Sequence, residues 1–284
     1  MRKWVSMACS GLVMIVCGIL AVSNVQAQEA KKIIQVKGAD SMAIRMSMLS
    51  KLFANANPDV QVNVEKGGTV EGGIAALINK EADIAMTSRR ITDKEDQMAL
   101  KKEVQLVERL VGYGGIVFVI HPSNPVDDLT VDQVRKILKG EIKSWGEVGG
   151  AKQPIYVIMV GENHPGTSAF LRNELMGKAP LTSKAEVIPT FPDIMRKVAA
   201  TPSSIGPVRV REAFELPVSS DAKVKVLKIR QTRSTAPVMP SRATVAGGMY
   251  PIRRPYYLYT TTDAGDEVVK FVDFAVEKGW GSEG

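Results

Sequence analysis

Strand-like and helix-like apolar patterns alternate along this chain, and no other feature constrains the fold as strongly. Val60, Val62 and Val64 alternate with polar residues, which predicts a strand, whereas apolar residues at helical spacing between Met42 and Phe53 predict a helix. The same alternation continues as far as a closing helix over residues 268–276. Strands that alternate with helices form mainly parallel sheets with helices packed on them. The sequence therefore predicts an α/β fold.

Three further segments show apolar patterns. Residues 105–120 form a long apolar stretch interrupted by Gly112, Gly114 and Gly115. Residues 224–229, Val-Lys-Val-Leu-Lys-Ile, intersperse lysine among apolar residues, which predicts one strand. Residues 169–176 show apolar positions at helical spacing and predict an amphipathic helix.

The N-terminal segment has the pattern of an export signal. Arg2 and Lys3 precede an apolar run of residues 5–22, and small residues before Gln28 predict cleavage there. We therefore predict a signal peptide over residues 1–27 and a periplasmic mature protein; an uncleaved membrane anchor is the alternative. Both cysteines, Cys9 and Cys17, lie within this segment, so a mature chain would have no thiol catalyst, zinc–thiolate site or disulfide.

The charge of the chain bears on its partners. The formal net charge is +7, and removing the two positive charges of residues 1–27 leaves +5. Basic residues are scattered among acidic ones, without the aromatic-interleaved basic stripe that a nucleic-acid interface shows. Nucleic acid is therefore not an expected partner, whereas a mild positive balance favours a small anion.

One turn in the second half of the chain combines features of an anion site. Gly161 and Gly166 lie between an apolar run that predicts a strand, residues 154–160, and the predicted helix that follows. A helix that begins after such a turn leaves backbone N–H groups free to bind an anion. The glycine spacing matches a nucleotide-binding P-loop, but Thr167 stands where that motif requires lysine, which excludes an NTPase. The alternative is an ordinary turn capped by Thr167 or Ser168.

Four polar loops follow predicted strands and could share one ligand. They contain Asp40 and Ser41, Thr69, Ser88 and Arg89, and the segment from His164 to Thr167. In open α/β sheets, ligands bind beyond the carboxyl ends of the strands. Three loops fall in the first part of the chain and one in the second, which predicts a site between two lobes. Each loop also has a purely local interpretation, as a helix cap, a glycine turn or a solvated arginine.

Several motifs resemble one family along nearly the whole predicted mature chain. They include Val64-Glu65-Lys66-Gly67-Gly68, Ala82-Asp83-Ile84-Ala85-Met86-Thr87-Ser88-Arg89, His121-Pro122-Ser123-Asn124-Pro125-Val126, Gly140-Glu141-Ile142-Lys143-Ser144-Trp145 and Tyr250-Pro251-Ile252-Arg253-Arg254-Pro255. The chain resembles the periplasmic phosphate-binding proteins of ABC transporters. This resemblance implies a two-lobed periplasmic-binding-protein fold, with a mainly parallel sheet flanked by helices in each lobe and crossover strands between the lobes.

The resemblance also implies boundaries and partners. Residues 28–117 would form the first lobe, residues 118–215 the second, and residues 216–284 would return to the first. The implied ligand is phosphate or a similar oxyanion, and the implied partner is an ABC transporter permease in the inner membrane. We expect a monomer that is not an enzyme, with no catalytic residue, cofactor or metal.

The ligand-binding residues that we predict depart in part from the family pattern. They are Asp40, Ser41, Thr69, Ser88, Arg89, His164, Gly166 and Thr167. The family typically has Ser-Gly-Thr where this chain has Pro165-Gly166-Thr167, and its nearby arginine is absent from Gly161-Glu162-Asn163. Because monohydrogen phosphate keeps a proton, a selective site needs a carboxylate acceptor, which Asp40 or Glu71 could supply.

The sequence is also compatible with two other functions. The altered turn would also suit an orphan receptor or scaffold with a degraded phosphate site, or a receptor for a different anion. An exported hydrolase is the third possibility, because Ser168 lies near His164; His121 is the only other histidine. However, no Gly-x-Ser-x-Gly elbow is present, and the histidines are not at metal-ligand spacing.

Overall fold

The structure is a computed structural model that describes residues 31–161, 164–214 and 223–279. The predicted signal peptide of residues 1–27, and Glu162 and Asn163 in the turn, lie outside the described residues.

The strands begin after Lys31 and continue to Thr261. Their bounds are β1 Lys32–Gly38, β2 Val60–Val64, β3 Ile84–Thr87, β4 Leu106–Ile120, β5 Asp128–Thr130, β6 Tyr156–Val160, β7 Glu186–Ile188, β8 Ser204–Arg209, β9 Lys225–Val226, β10 Lys228–Arg230 and β11 Arg253–Thr261.

Helices separate most of these strands. Their bounds are α1 Asp40–Ala56, α2 Val70–Ile78, α3 Asp93–Lys101, α4 Val131–Lys139, α5 Pro165–Ala169, α6 Phe191–Ala200, α7 Val210–Phe214, α8 Arg242–Ala246 and α9 Asp266–Lys278. A 3₁₀ turn, Trp145–Val148, and a π-helical segment, Phe170–Leu175, complete the set within the described residues.

One sheet of nine strands runs through the described residues, in the order β2-β1-β3-β11-β4-β8-β6-β7, with β9 also paired to β4. At one end β1, β2 and β3 are parallel, and at the other β6, β7 and β8 are parallel. Between them, β11 and β4 pair antiparallel over Leu106–Gly115 of β4, and β4 continues to an antiparallel pairing with β8. The predicted two-lobed α/β fold, with mainly parallel strands in each lobe and crossover strands between the lobes, is confirmed.

The structure shows which elements are formed by the three segments at residues 105–120, 169–176 and 224–229. The glycine-interrupted stretch is one continuous strand, β4, because β11 and β8 supply backbone partners along it. The 224–229 segment is split into β9 and β10, which pair with different strands, β4 and β5. The helix expected at residues 169–176 begins earlier, at Pro165, and becomes π-helical from Phe170.

Two large hydrophobic clusters correspond to the two lobes. The first contains Ile34 and Met46, together with Phe271 of α9. The second contains Phe118, Ile158 and many other buried side chains. Burying such side chains contributes roughly 1.5–3 kcal/mol each, so each cluster stabilises its own lobe.

The lobe boundaries stay a prediction, but the packing bears on the return to the first lobe. Leu227, Ile229, Val245 and Ile252 are all buried in the second cluster. The return expected near residue 216 therefore fits less well than a return at Arg253, where β11 begins.

Over the residues that the structure describes, no helix has both the length and the apolar character required to cross a bilayer.

Candidate functional site

The predicted site residues line one cavity between the lobes. All eight do so, namely Asp40, Ser41, Thr69, Ser88, Arg89, His164, Gly166 and Thr167. The cavity volume is about 160 Å³. Since a cavity of about 150 Å³ holds a molecule as large as benzene, a tetrahedral oxyanion fits easily. The structure therefore brings the four loops together, while the ligand roles of these residues stay a prediction.

Strand topology explains why these loops meet. Asp40 and Ser41 follow β1, Thr69 follows β2, Ser88 follows β3, and the turn at His164 follows β6. Because β1, β2 and β3 are parallel, their carboxyl ends lie at one edge of the sheet. The β6 turn faces this edge from the second lobe.

Arg89 lines the cavity, but its positive charge is engaged by two carboxylates. Its Nη1 lies 2.8 Å from Glu95 Oε2, and its Nη2 lies 2.9 Å from Glu95 Oε1 and 2.9 Å from Glu71 Oε1. The bond with Glu95 raises the pKa of Arg89 further above its ordinary value. Burial disfavours the ionised Glu95, but hydrogen bonds from Arg89 and Thr92 outweigh it and lower the pKa of Glu95 to about 2. Arg89 therefore contributes little net charge to the cavity.

His164 is held as an apolar wall rather than as a cation. Its ring stacks on Phe191, with centroids 4.3 Å apart and planes inclined by 24°. Burial lowers the pKa of His164 below its ordinary value of 6.5, and the nearby Arg209 lowers it further. The imidazole is therefore neutral at neutral pH.

The first turn of α5 differs from the expectation of free backbone N–H groups that face the ligand. The Thr167 N–H donates to the His164 carbonyl at 3.0 Å, and the Ser168 N–H donates to the same oxygen at 3.0 Å. These amides close the turn and do not face the cavity as free donors. The Thr167 side chain is buried at the cavity wall.

The first-lobe loops are tied together by their own side chains. Asp40 Oδ1 accepts a hydrogen bond of 2.7 Å from the Gly67 N–H, so this carboxylate fixes the loop before Thr69. Thr69 Oγ1 accepts from the Gly72 N–H at 3.0 Å and caps α2. By contrast, α1 has no side-chain cap, so the local interpretation of Asp40 and Ser41 as its caps is wrong.

Several cavity residues were not predicted from the sequence. Phe170, Asn173 and Glu174 follow the turn, at a helical spacing that places them on one face, and Arg209 ends β8. The helical spacing was a signal for the first three. Arg209 had none, because it reaches the cavity only through the packing of β8; its Nε donates to Glu212 Oε2 at 2.9 Å and its guanidinium lies 4.8 Å from the Phe191 ring centroid.

Comparison with known proteins identifies the family. A family model described as "PBP superfamily domain" matches residues 25–278. The chain belongs to the PBP superfamily. It is similar to the phosphate-binding protein PstS of Borreliella burgdorferi, with 25% identity over 88% of this chain and 87% of that protein. It is also similar to PstS of Bacillus subtilis, with 26% identity over 87% of this chain and 76% of the relative.

A solved structure supports the same assignment. The ABC-type phosphate transport receptor from Vibrio cholerae aligns with a TM-score of 0.69 and 27% identity. The alignment covers 85% of this chain and 93% of the receptor. The shared architecture therefore extends over both lobes.

Proposed function

We propose that this chain is an exported solute-binding protein that captures a small oxyanion, most favourably phosphate, for an ABC transporter. The observation that carries the proposal is the convergence of polar loops from both lobes on one small cavity. The names of the relatives support phosphate as the ligand, since both PstS proteins are called phosphate-binding proteins.

The residues in the cavity suit monohydrogen phosphate. The hydroxyl groups of Ser41, Thr69 and Ser88 can donate to its oxygens, and Asp40 can accept its proton. Micromolar affinity requires about −8 kcal/mol, and hydrogen bonds to a charged group contribute about 1.5–3 kcal/mol each. Several such hydrogen bonds together contribute enough free energy for micromolar affinity, even after the entropic cost of ordering the ligand is subtracted. Binding of this kind requires no catalytic residue, metal or cofactor, and we propose that the protein is not an enzyme.

Transport would follow from closure of the lobes. The strands β4 and β11 connect the first and second lobes, so bending along them would open or close the cavity. We propose that a monomer in the periplasm, after removal of residues 1–27, presents its closed form to an inner-membrane permease. An orphan receptor or a receptor for another anion is the alternative, and the neutralised Arg89 is the observation that favours it.

The test is calorimetric titration of ligand-stripped protein with phosphate, sulfate and a small carboxylic acid. We expect one phosphate per chain, and weaker sulfate binding because sulfate has no proton for Asp40. Ser41→Ala should weaken phosphate binding about tenfold, the effect of one hydrogen bond. Ser47→Ala, which changes the same helix away from the cavity, is the matched control. No heat with any oxyanion would contradict the proposal, and binding of the carboxylic acid alone would favour the alternative.

A further inference from the structure

Three arginines lie in or beside the cavity, and two are neutralised by carboxylates. Arg89 is paired with Glu95 and Glu71. Arg209 forms an ion pair with Glu212, which is itself buried. Neither guanidinium can give its full charge to an anion without breaking an existing pair.

The third arginine, Arg254 of β11, is in a different situation. It is 1% exposed, and within the described residues no carboxylate pairs with it. Its Nη2 donates to Tyr256 Oη at 2.9 Å, whereas Nε and Nη1 have no hydrogen-bond partner. Arginine keeps its proton even when buried, and a buried charge without a partner is strongly destabilising. The structure therefore carries a buried cation that lacks a counter-charge.

The position of Arg254 shows where that counter-charge would come from. Its Nη1 lies 2.9 Å from the point where a Cβ on Gly166 would be, and Ser41 Oγ lies 3.6 Å from the same point. Ser41 Oγ is also buried and without a hydrogen-bond partner. Both Gly166 and Ser41 line the cavity. Two unpaired donors, one from α1 and one from β11, thus converge on the backbone of the second-lobe turn.

The neighbours of Arg254 hold the guanidinium in place. The Tyr256 ring centroid lies 5.1 Å from its central carbon, a cation–π distance. A Cβ on Gly166 would lie only 2.9 Å from Nη1, so any side chain at this position would displace the guanidinium from the turn.

We propose that Arg254 supplies the positive charge that binds the anion, with Nη1 and Ser41 Oγ donating to the ligand where they meet Gly166. This inference rests on the proposed oxyanion site and names the residue that gives it charge. A guanidinium forms charge-assisted hydrogen bonds with an oxyanion, and the anion in turn neutralises the buried charge. Arg254 is then the residue that selects for negatively charged ligands, in place of the neutralised Arg89.

The experiment compares Arg254→Met with Arg253→Met in full-length mature protein. Arg253 is the matched control, because it precedes Arg254 in β11 but stacks on the Tyr113 ring, 4.1 Å from its centroid. Titration with inorganic phosphate should show an affinity loss of about 10- to 100-fold for Arg254→Met, the effect of one charged hydrogen bond. Arg253→Met should change the affinity by less than about threefold, because surface substitutions away from a site have small effects.

Thermal unfolding separates this role from a purely structural one. Replacing an unpaired buried charge with an apolar side chain of similar volume is often neutral or stabilising. We therefore expect the ligand-free melting temperature of Arg254→Met not to fall, while a given phosphate concentration raises it less than it raises that of the wild type. A lower ligand-free melting temperature together with an unchanged phosphate affinity would assign Arg254 to structure alone and overturn the inference.

Two further variants cover the case in which Arg254→Met does not fold. Arg254→Lys keeps a cation but loses the planar guanidinium, and Gly166→Ala keeps Arg254 but displaces its Nη1. Both should weaken phosphate binding, and unchanged affinity in both would also overturn the inference. If wild-type protein binds no oxyanion, the proposed function itself fails; if it binds phosphate and the Arg254 variants bind equally well, only the role of Arg254 fails.

Discussion

At the residue scale, most charges near the cavity cancel in pairs, and selectivity therefore depends on a few unpaired groups. Arg89 and Arg209 are each neutralised, and His164 is neutral because burial lowers its pKa. Asp40 uses one carboxylate oxygen to hold Gly67. The other oxygen remains available to accept the proton of monohydrogen phosphate, which sulfate does not have.

Asp40→Asn tests this source of selectivity. Asparagine keeps an oxygen that can accept from Gly67 but removes the charge that favours a protonated ligand. Phosphate affinity should fall about tenfold, and sulfate affinity should stay the same or rise, because one like-charge contact is lost. Competition titrations with both anions measure the ratio. Asp59→Asn, in the exposed turn before β2, is the control, and an unchanged phosphate-to-sulfate ratio in Asp40→Asn would contradict this role.

Arg89→Met tests the ion-pair network and its dependence on pH. The pKa of Glu95 is lowered to about 2 from 4.5, so its contribution to stability is present above about pH 4.5 and is lost as pH falls towards 2. The variant should be less stable by about 1.5–3 kcal/mol at pH 7, the contribution of a hydrogen bond to a charged group. Phosphate affinity should change far less than in Arg254→Met.

Chemical denaturation at pH 7, 5 and 3 measures this effect. The difference in free energy of unfolding between wild type and Arg89→Met should shrink between pH 5 and pH 3. Arg90→Met is the control, because Arg90 is exposed and solvent screens its ion pair with Glu108, in which the two charged groups lie 3.2 Å apart. If this difference stayed constant with pH, Arg89 would not be what lowers the pKa of Glu95, which would contradict the prediction.

The sequence could predict eight of the residues that line the cavity but not how the charges around it are arranged. Strand ends fix the position of Ser41, Ser88 and Thr167, and strand ends can be read from apolar patterns. The pairing of Arg89 with Glu95 requires α3 to pack beside the loop, which no local pattern encodes. For the same reason, the sequence does not show that Arg254 lacks a carboxylate partner, because this depends on the packing of β11 beside Gly166.

At the element scale, helix starts that carry a capping box could be predicted from local sequence, whereas the pairing of the long strand β4 could not. Thr92 and Thr130 each form a capping box three residues before its partner, a local signal. Glycine is unfavourable within a strand, yet β4 continues through Gly112, Gly114 and Gly115 because β11 and β8 provide its hydrogen bonds. The pairing of distant strands therefore outweighed the local preference.

Thr130→Ala tests a cap away from the cavity. Thr130 Oγ1 accepts from the Gln133 N–H at 3.1 Å, and Gln133 Oε1 accepts from the Thr130 N–H at 2.8 Å. Losing this box should lower the free energy of unfolding by about 1 kcal/mol, with no change in phosphate affinity. Denaturant titration measures the loss, and exposed Thr262→Ala should stay within about 0.5 kcal/mol. An equal loss in both variants would mean that the cap does not stabilise α4.

At the scale of the whole molecule, two separately packed lobes share a sheet through β4 and β11. The same β11 that links the lobes also carries Arg254, whose Nη1 lies beside Gly166 at the cavity wall. Strand β11 would therefore take part both in anion binding and in lobe closure. An anion that neutralises Arg254 while contacting both lobes would favour the closed arrangement over the open one.

The most direct test is a crystal structure of the mature protein grown with saturating phosphate. We expect tetrahedral density in the cavity, within hydrogen-bond distance of Ser41 Oγ and Arg254 Nη1 and in contact with residues of both lobes. An empty cavity, or phosphate bound only at the outer surface, would contradict the account.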